Sequence, residues 1–165
     1  MSELSGINIK KIYEDALADP ELLSTININK ILDTLECSKT DYLENKTFTI
    51  IHSDIIDALR DLDIKQEQIE QLSDKLVEYR YVDEICHLHK GKYVRWMKRD
   101  RPGELTKGGV VMNIIFLETG VNILCINLAK QFIQYKFDDC ITFQKLNMEE
   151  QLILMAYDHL EKENL

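Results

Sequence analysis

VVMNIIFLETGVNILCIN, residues 110–127, is the stretch that decides the fold. Two runs rich in β-branched residues, 110–117 and 121–127, flank Glu118-Thr119-Gly120. A connection this short between two such runs predicts an antiparallel hairpin, with the glycine taking the positive φ that its last turn position requires. Both runs are apolar on both faces: Val110, Val111, Ile114, Ile115 and Phe116 in the first, and Ile123, Leu124 and Ile126 in the second. A sheet buried on one face alternates apolar with polar residues. Two-sided apolarity therefore predicts that something covers the outer face: the C-terminal helix, the N-terminal helices or another chain.

The strand period extends on either side of the hairpin. Upstream, Tyr93-Val94-Arg95-Trp96-Met97 predicts a strand with Val94 and Trp96 on one side. A polar loop with Pro102-Gly103 and then Gly108-Gly109 follows it. Downstream, 131–137 alternates, with Ile133, Tyr135 and Phe137 inward, and 140–143 continues with Ile141 and Phe143. Five short strands with tight turns resemble, in architecture only, a small antiparallel SH3-like or Tudor-like barrel. The expected fold is α+β: a helical region over 1–89, a five-stranded barrel over 90–147, and a C-terminal helix over 148–165 packing on it.

The first half carries helical periods. Ile9, Ile12, Tyr13 and Ala16 share one face of a short helix, and Asp19-Pro20 is a start signal for another that runs toward Leu35. Residues 47–51 fit no element by pattern. Ser53 caps a helix to Leu62, and a further helix opens at Asp63 or Ile64 with Ile69, Leu72, Leu76 and Tyr79 on one face. Asn147 caps the final helix, with Glu149 and Glu150 at its positive end.

The formal charge is −9, which repels phosphate from the surface as a whole. It is unevenly spread. Between Lys90 and Lys107 lie seven cations (Lys90, Lys92, Arg95, Lys98, Arg99, Arg101, Lys107) and two anions, so this strip is +5 while the rest of the chain is −14. Cations interleaved with Tyr93 and Trp96 are the pattern of single-strand nucleic-acid binders. The same pattern arises when Trp96 is core and the cations are solvated or meet an acidic protein.

Nothing in the sequence assembles a catalytic set. His52-Ser53-Asp54 has triad letters, but adjacency in sequence does not create relay geometry. Asp138-Asp139 reads as a turn, and Gly108-Gly109, followed by β-formers, as a bulge or barrel corner rather than a phosphate loop. Cys86-His87-Leu88-His89 lacks a second ligand pair and reads as a helix end carrying histidines, so no metal and no cofactor are expected. Cys37, Cys86, Cys125 and Cys140 sit in apolar surroundings, as buried thiols of a reducing compartment do. No stretch approaches the ~20 apolar residues of a membrane span, and the N-terminus has no apolar leader segment.

Residues 79–85 (YRYVDEI), 91–96 (GKYVRW), 105–109 (LTKGG) and 143–146 (FQKL) resemble stretches of small uncharacterised proteins of large nucleocytoplasmic DNA viruses. That resemblance covers the C-terminal half, carries over no catalytic residue, and implies a viral-factory or virion location. The expected function is non-enzymatic: a protein-interaction or assembly protein that docks a partner or a second copy. The alternative is a nucleic-acid-associated factor using Lys90, Lys92, Arg95, Trp96, Lys98, Arg99, Arg101 and Lys107.

Overall fold

A computed structural model describes residues 9–19 and 41–163. The helix expected to follow Pro20 and the thiol of Cys37 lie outside the described residues. Four helices are described, α1 (Ile9–Ala18), α2 (Phe48–Arg60), α3 (Gln66–Lys75) and α4 (Met148–Glu163), with six strands between α3 and α4. The strands are β1 (Tyr79–Val82), β2 (Tyr93–Lys98), β3 (Gly109–Leu117), β4 (Gly120–Ile126), β5 (Phe132–Lys136) and β6 (Cys140–Lys145). The fold is α+β. Its described residues fall into two compact units, one of residues 51–145 and one of 9–19, 41–50 and 146–163.

The larger unit holds one antiparallel sheet of six strands in the order β1-β6-β2-β3-β4-β5. This corrects the expected five-stranded barrel: the sheet is open, and β1 and β5 are its two edges. The additional strand starts at Tyr79, ahead of residue 90, where the barrel was expected to begin. By spacing, Tyr79 continues the helical face of Ile69, Leu72 and Leu76, and the structure corrects that expectation. The helix ends at Lys75, and Tyr79-Arg80-Tyr81-Val82 pairs with β6 from Tyr79↔Lys145 to Val82↔Thr142. Aromatic and β-branched side chains suit a pleated surface, and here that preference outweighs the helical spacing.

Strands β2 to β5 form a meander. After β5, the one-turn 3-10 helix Phe137–Asp139 reverses the chain, and β6 returns to lie beside β2. The β3–β4 hairpin closes at Leu117↔Gly120, with Gly120 at φ 129° as its position demands. A bulge between Val111 and Asn113 shifts the register and bends β3.

Each face of this sheet has its own core. On the inner face Val82, Val94, Trp96, Val111, Ile123, Cys125, Tyr135 and Cys140 cluster. On the other face Met97, Ile141 and Phe143 meet Ile55 and Leu59 of α2 and Ile69, Leu72 and Leu76 beside them. The alternation of β2 and β6 explains this, since Trp96 and Met97, or Thr142 and Phe143, point to opposite faces. Helices α2 and α3 thus cover the β6–β2 half of the outer face.

Helix α2 begins six residues earlier than a cap at Ser53 suggested. Thr47, itself buried, accepts the Ile50 N–H on its hydroxyl at 3.3 Å, so residues 48–51 open a helix. Ile51, Ile55 and Leu59 then make a buried stripe at i, i+4, i+8, and Ser53 is an exposed mid-helix residue. Thr47→Ala is expected to lower stability by about 1 kcal/mol in a urea titration, whereas Ser53→Ala should be neutral or slightly stabilising.

In the smaller unit Asn147 caps α4 reciprocally. Its side chain accepts the Glu150 N–H at 2.7 Å, and the Glu150 carboxylate accepts the Asn147 N–H at 3.1 Å. The other carboxylate oxygen of Glu150 accepts from the Tyr42 hydroxyl at 2.8 Å, which satisfies a carboxylate that is almost fully buried. Tyr13 of α1 donates to Gln151 of α4 at 2.9 Å.

Candidate functional site

The basic strip divides in the structure. Lys98 ends β2, and residues 99–108 fold back over that strand. The Thr106 N–H donates to the Trp96 carbonyl, and the Trp96 N–H donates to the Thr106 hydroxyl. Arg95 donates its Nε–H to the Thr106 carbonyl at 2.8 Å, and the Tyr93 hydroxyl donates to the Lys107 carbonyl. Two of the aromatic and basic residues of the strip therefore hold its own loop. Lys90, Lys98, Arg99, Arg101 and Lys107 are exposed or partly so, and Lys92 is half-buried.

Trp96 is only 4% exposed. Its ring stacks on Tyr135, with centroids 4.2 Å apart and planes at 14°, and the Tyr135 hydroxyl lies 3.0 Å from the Thr142 hydroxyl. Burial pushes the Tyr135 phenol well above its ordinary range, with the Thr142 hydrogen bond a smaller opposing effect. The indole face is thus spent on the core of the sheet.

Beside this stack lies a cavity of about 1020 Å³, between the 99–108 loop, the β4–β5 turn and the 3-10 turn before β6. Lys98, Arg99, Lys107 and Lys136 line it, and so do Asp100, Asp138 and Asp139. The Asp138-Asp139 pair is part of the 3-10 turn, where the Arg99 N–H donates to the Asp139 carbonyl. Cations and carboxylates nearly balance at this mouth. Leu128, Ala129 and Ile133 add apolar wall, and Leu128 is 86% exposed.

Gly108 takes φ +82°, and a Cβ there would lie 2.0 Å from the Val94 carbonyl oxygen. Gly109 lies as close to β4, since a Cβ on it would be 2.6 Å from the Ile126 carbonyl oxygen. This pair is where β3 enters between β2 and β4, a tight corner of the sheet.

The outer face of β3, β4 and β5 carries exposed apolar side chains. Val110, Ile115, Leu124 and Ile126 are half-buried there, and Met112, Leu117 and Phe132 are exposed. Phe116, at the end of the hairpin, is 70% exposed. Strand β5 pairs with β4 on one side, and its other side is a sheet edge.

Of the thiols described, Cys125 and Cys140 are buried, whereas Cys86 is exposed, contrary to the expectation of buried cysteines throughout. Desolvation pushes the Cys125 thiol up to about 12 and also raises Cys140, so neither is an activated nucleophile. Cys86 and His87 lie on a 3-10 turn, Ile85–His87, between β1 and β2, rather than at a helix end. His52, Ser53 and Asp54 are successive residues of α2, about 100° apart around its axis, and cannot share one reaction centre.

None of the described helices is long and apolar enough to cross a membrane. No family model, curated protein or solved structure matches this chain.

Proposed function

We propose that this chain is a non-enzymatic interaction protein that docks a protein partner on the exterior of β3–β5 and the adjoining cavity mouth. The observation that carries this reading is the exposure of Met112, Leu117 and Phe132 on the outer face of β3–β5, with Leu128 exposed in the β4–β5 turn. Isolated apolar side chains are normal on a surface, but a contiguous patch beside half-buried neighbours marks a contact site. The strand succession β2 to β6, with a 3-10 turn before the last strand, is compatible with a small SH3-like sheet, though one left open and extended by β1.

The lining of the cavity favours one kind of occupant. Four cations together with three carboxylates suit a protein surface of mixed, mainly acidic charge better than a uniform phosphate chain. The resemblance to proteins of large nucleocytoplasmic DNA viruses adds to this reading a place in particle assembly.

The test is capture on the immobilised full chain, followed by titration of the purified captured protein. Phe132→Asp and Leu128→Asp should each weaken binding at least about tenfold with unchanged melting, and added salt should weaken it further. Binding that survives both substitutions sinks the proposal. So does a light-scattering result in which this face forms only a dimer of the chain itself. Single-stranded RNA that binds with strong salt dependence would move the function to nucleic acid.

A further inference from the structure

The turn between β1 and β2 brings together three side chains with the chemistry of metal ligands: the Glu84 carboxylate, the Cys86 thiol and the His87 imidazole. One ligand atom from each lies within 4.8 Å of the others. Cys86 Sγ is 3.5 Å and His87 Nε2 is 3.9 Å from the same carboxylate oxygen of Glu84. Zinc bound tetrahedrally, with bonds of about 2.3 Å to sulfur and 2.0–2.2 Å to nitrogen or oxygen, spaces its ligand atoms about 3.4–3.6 Å apart. The Sγ–O edge already stands at that spacing, and the Nε2–O edge is about half an ångström longer.

The opposite nitrogen of the ring supplies a second, independent sign. His87 Nδ1 is 3.5 Å from the Asp83 carboxylate. An imidazole that ligates a metal through one nitrogen commonly donates its other N–H to a carboxylate, which fixes the tautomer and raises the ligand's basicity. An ordinary surface ion pair explains Asp83 and His87, and the Cys86 thiol, a donor to Glu84 at 3.5 Å, brings a third ligand type to the same carboxylate oxygen.

The turn is also held from below. Arg80, 2% exposed, donates to the His87 carbonyl at 2.6 Å. Gln144 of β6, fully buried, accepts the His89 N–H at 2.8 Å. The His87 N–H closes the turn on the Glu84 carbonyl, and Leu88 is anchored in the inner core. Two polar side chains buried at desolvation cost fix the backbone on either side of Leu88, and a site held on a rigid element is a pre-organised one.

We propose that Glu84, Cys86 and His87 bind one divalent ion of the zinc class, with Asp83 behind the histidine and the fourth position open to water or to a group from a partner. Binding replaces the S–H bond of Cys86 with a metal–sulfur bond and releases that proton to solvent.

The experiment is a cobalt(II) titration of the full chain, reduced and freed of metal by chelator. It should show one equivalent bound, with thiolate-to-cobalt charge-transfer absorption and the visible bands of tetrahedral cobalt, both bleached by zinc. Cys86→Ser should remove the charge-transfer band, Asp83→Asn should keep the band and weaken affinity about tenfold, and Cys37→Ser should leave both unchanged. If Cys86→Ser fails to fold, Glu84→Gln and His87→Gln decide, each expected to weaken affinity at least about tenfold. Cobalt bound without a thiolate band, a band lost with Cys37→Ser, or affinity unmoved by the Glu84 and His87 substitutions overturns the site.

Discussion

Trp96→Ala is expected to destabilise the protein by about 3–5 kcal/mol, the cost of removing a large aromatic side chain from a packed core. Trp96 is buried against Tyr135 at stacking distance, in the cluster that also contains Val94, Val111, Ile123 and Cys125. The deleted ring would leave Tyr135 without its partner and open a void that the paired strands β2, β4 and β6 cannot collapse to fill. A urea titration followed by circular dichroism measures the loss directly. The same experiment separates two roles for the basic strip. A stacking platform for bases would cost nucleic-acid binding when replaced while sparing stability; a core residue does the reverse. Lys98/Arg99/Arg101→Glu is the companion variant: these exposed side chains should change stability by only about 0.5 kcal/mol each. A Trp96→Ala protein within about 1 kcal/mol of the parent would show that the ring is not part of the core.

The second large effect is expected at Gly108. An alanine there would place its Cβ 2.0 Å from the Val94 carbonyl oxygen, far inside van der Waals contact, in a backbone region at φ +82° that L-residues avoid. The conformational penalty alone is about 1–2 kcal/mol. The clash is with backbone rather than with a flexible side chain, so relief requires β2 and β3 to separate where Tyr93↔Val110 and Val94↔Gly109 pair them. Loss of the soluble folded protein, or destabilisation beyond about 3 kcal/mol, is the expected result. Gly91→Ala is the control, because Gly91 has the same φ of +82° with nothing within 4 Å of where the added methyl would sit, and it should show the conformational cost alone. Equal behaviour of the two variants would mean that the close approach at Gly108 contributes nothing.

Much of the sheet was legible locally. The hairpin around Glu118-Thr119-Gly120, the sides of β2 taken by Val94 and Trp96, the inward Ile133 and Tyr135, and the Asn147–Glu150 cap all follow from alternation, turn chemistry or capping, which act over a few residues. Strand β1 was not legible, because Tyr79 fits both the helical spacing that precedes it and the strand it begins. What decides is its pairing with β6 across 66 positions of chain, from Tyr79 to Lys145. The start of α2 was hidden for a related reason. Thr47-Phe48-Thr49-Ile50-Ile51 is β-branched and aromatic, the composition of a strand, yet the Thr47 cap and the burial of Ile51, Ile55 and Leu59 make it helix.

The candidate sites show the same division. That the strip 90–107 is basic is a property of composition; that its tryptophan faces inward while Lys98, Arg99 and Lys107 meet Lys136 and three aspartates around a cavity is not. Similarly, Cys86 and His87 are visible as letters, but Glu84 becomes a third ligand candidate only when a 3-10 turn, pinned by Arg80 and Gln144, folds the three toward one point.

The sequence by itself determined which segments are strands or helices wherever period, cap and turn agreed, and it determined the uneven charge and the two-sided apolarity of the hairpin. Only the tertiary structure decided which face α2 and α3 cover, that the sheet stays open at β1 and β5, and which apolar side chains are left facing water. The physical reason is range: capping and alternation are settled by neighbours along the chain, whereas burial is settled by residues that pairing brings together from far apart.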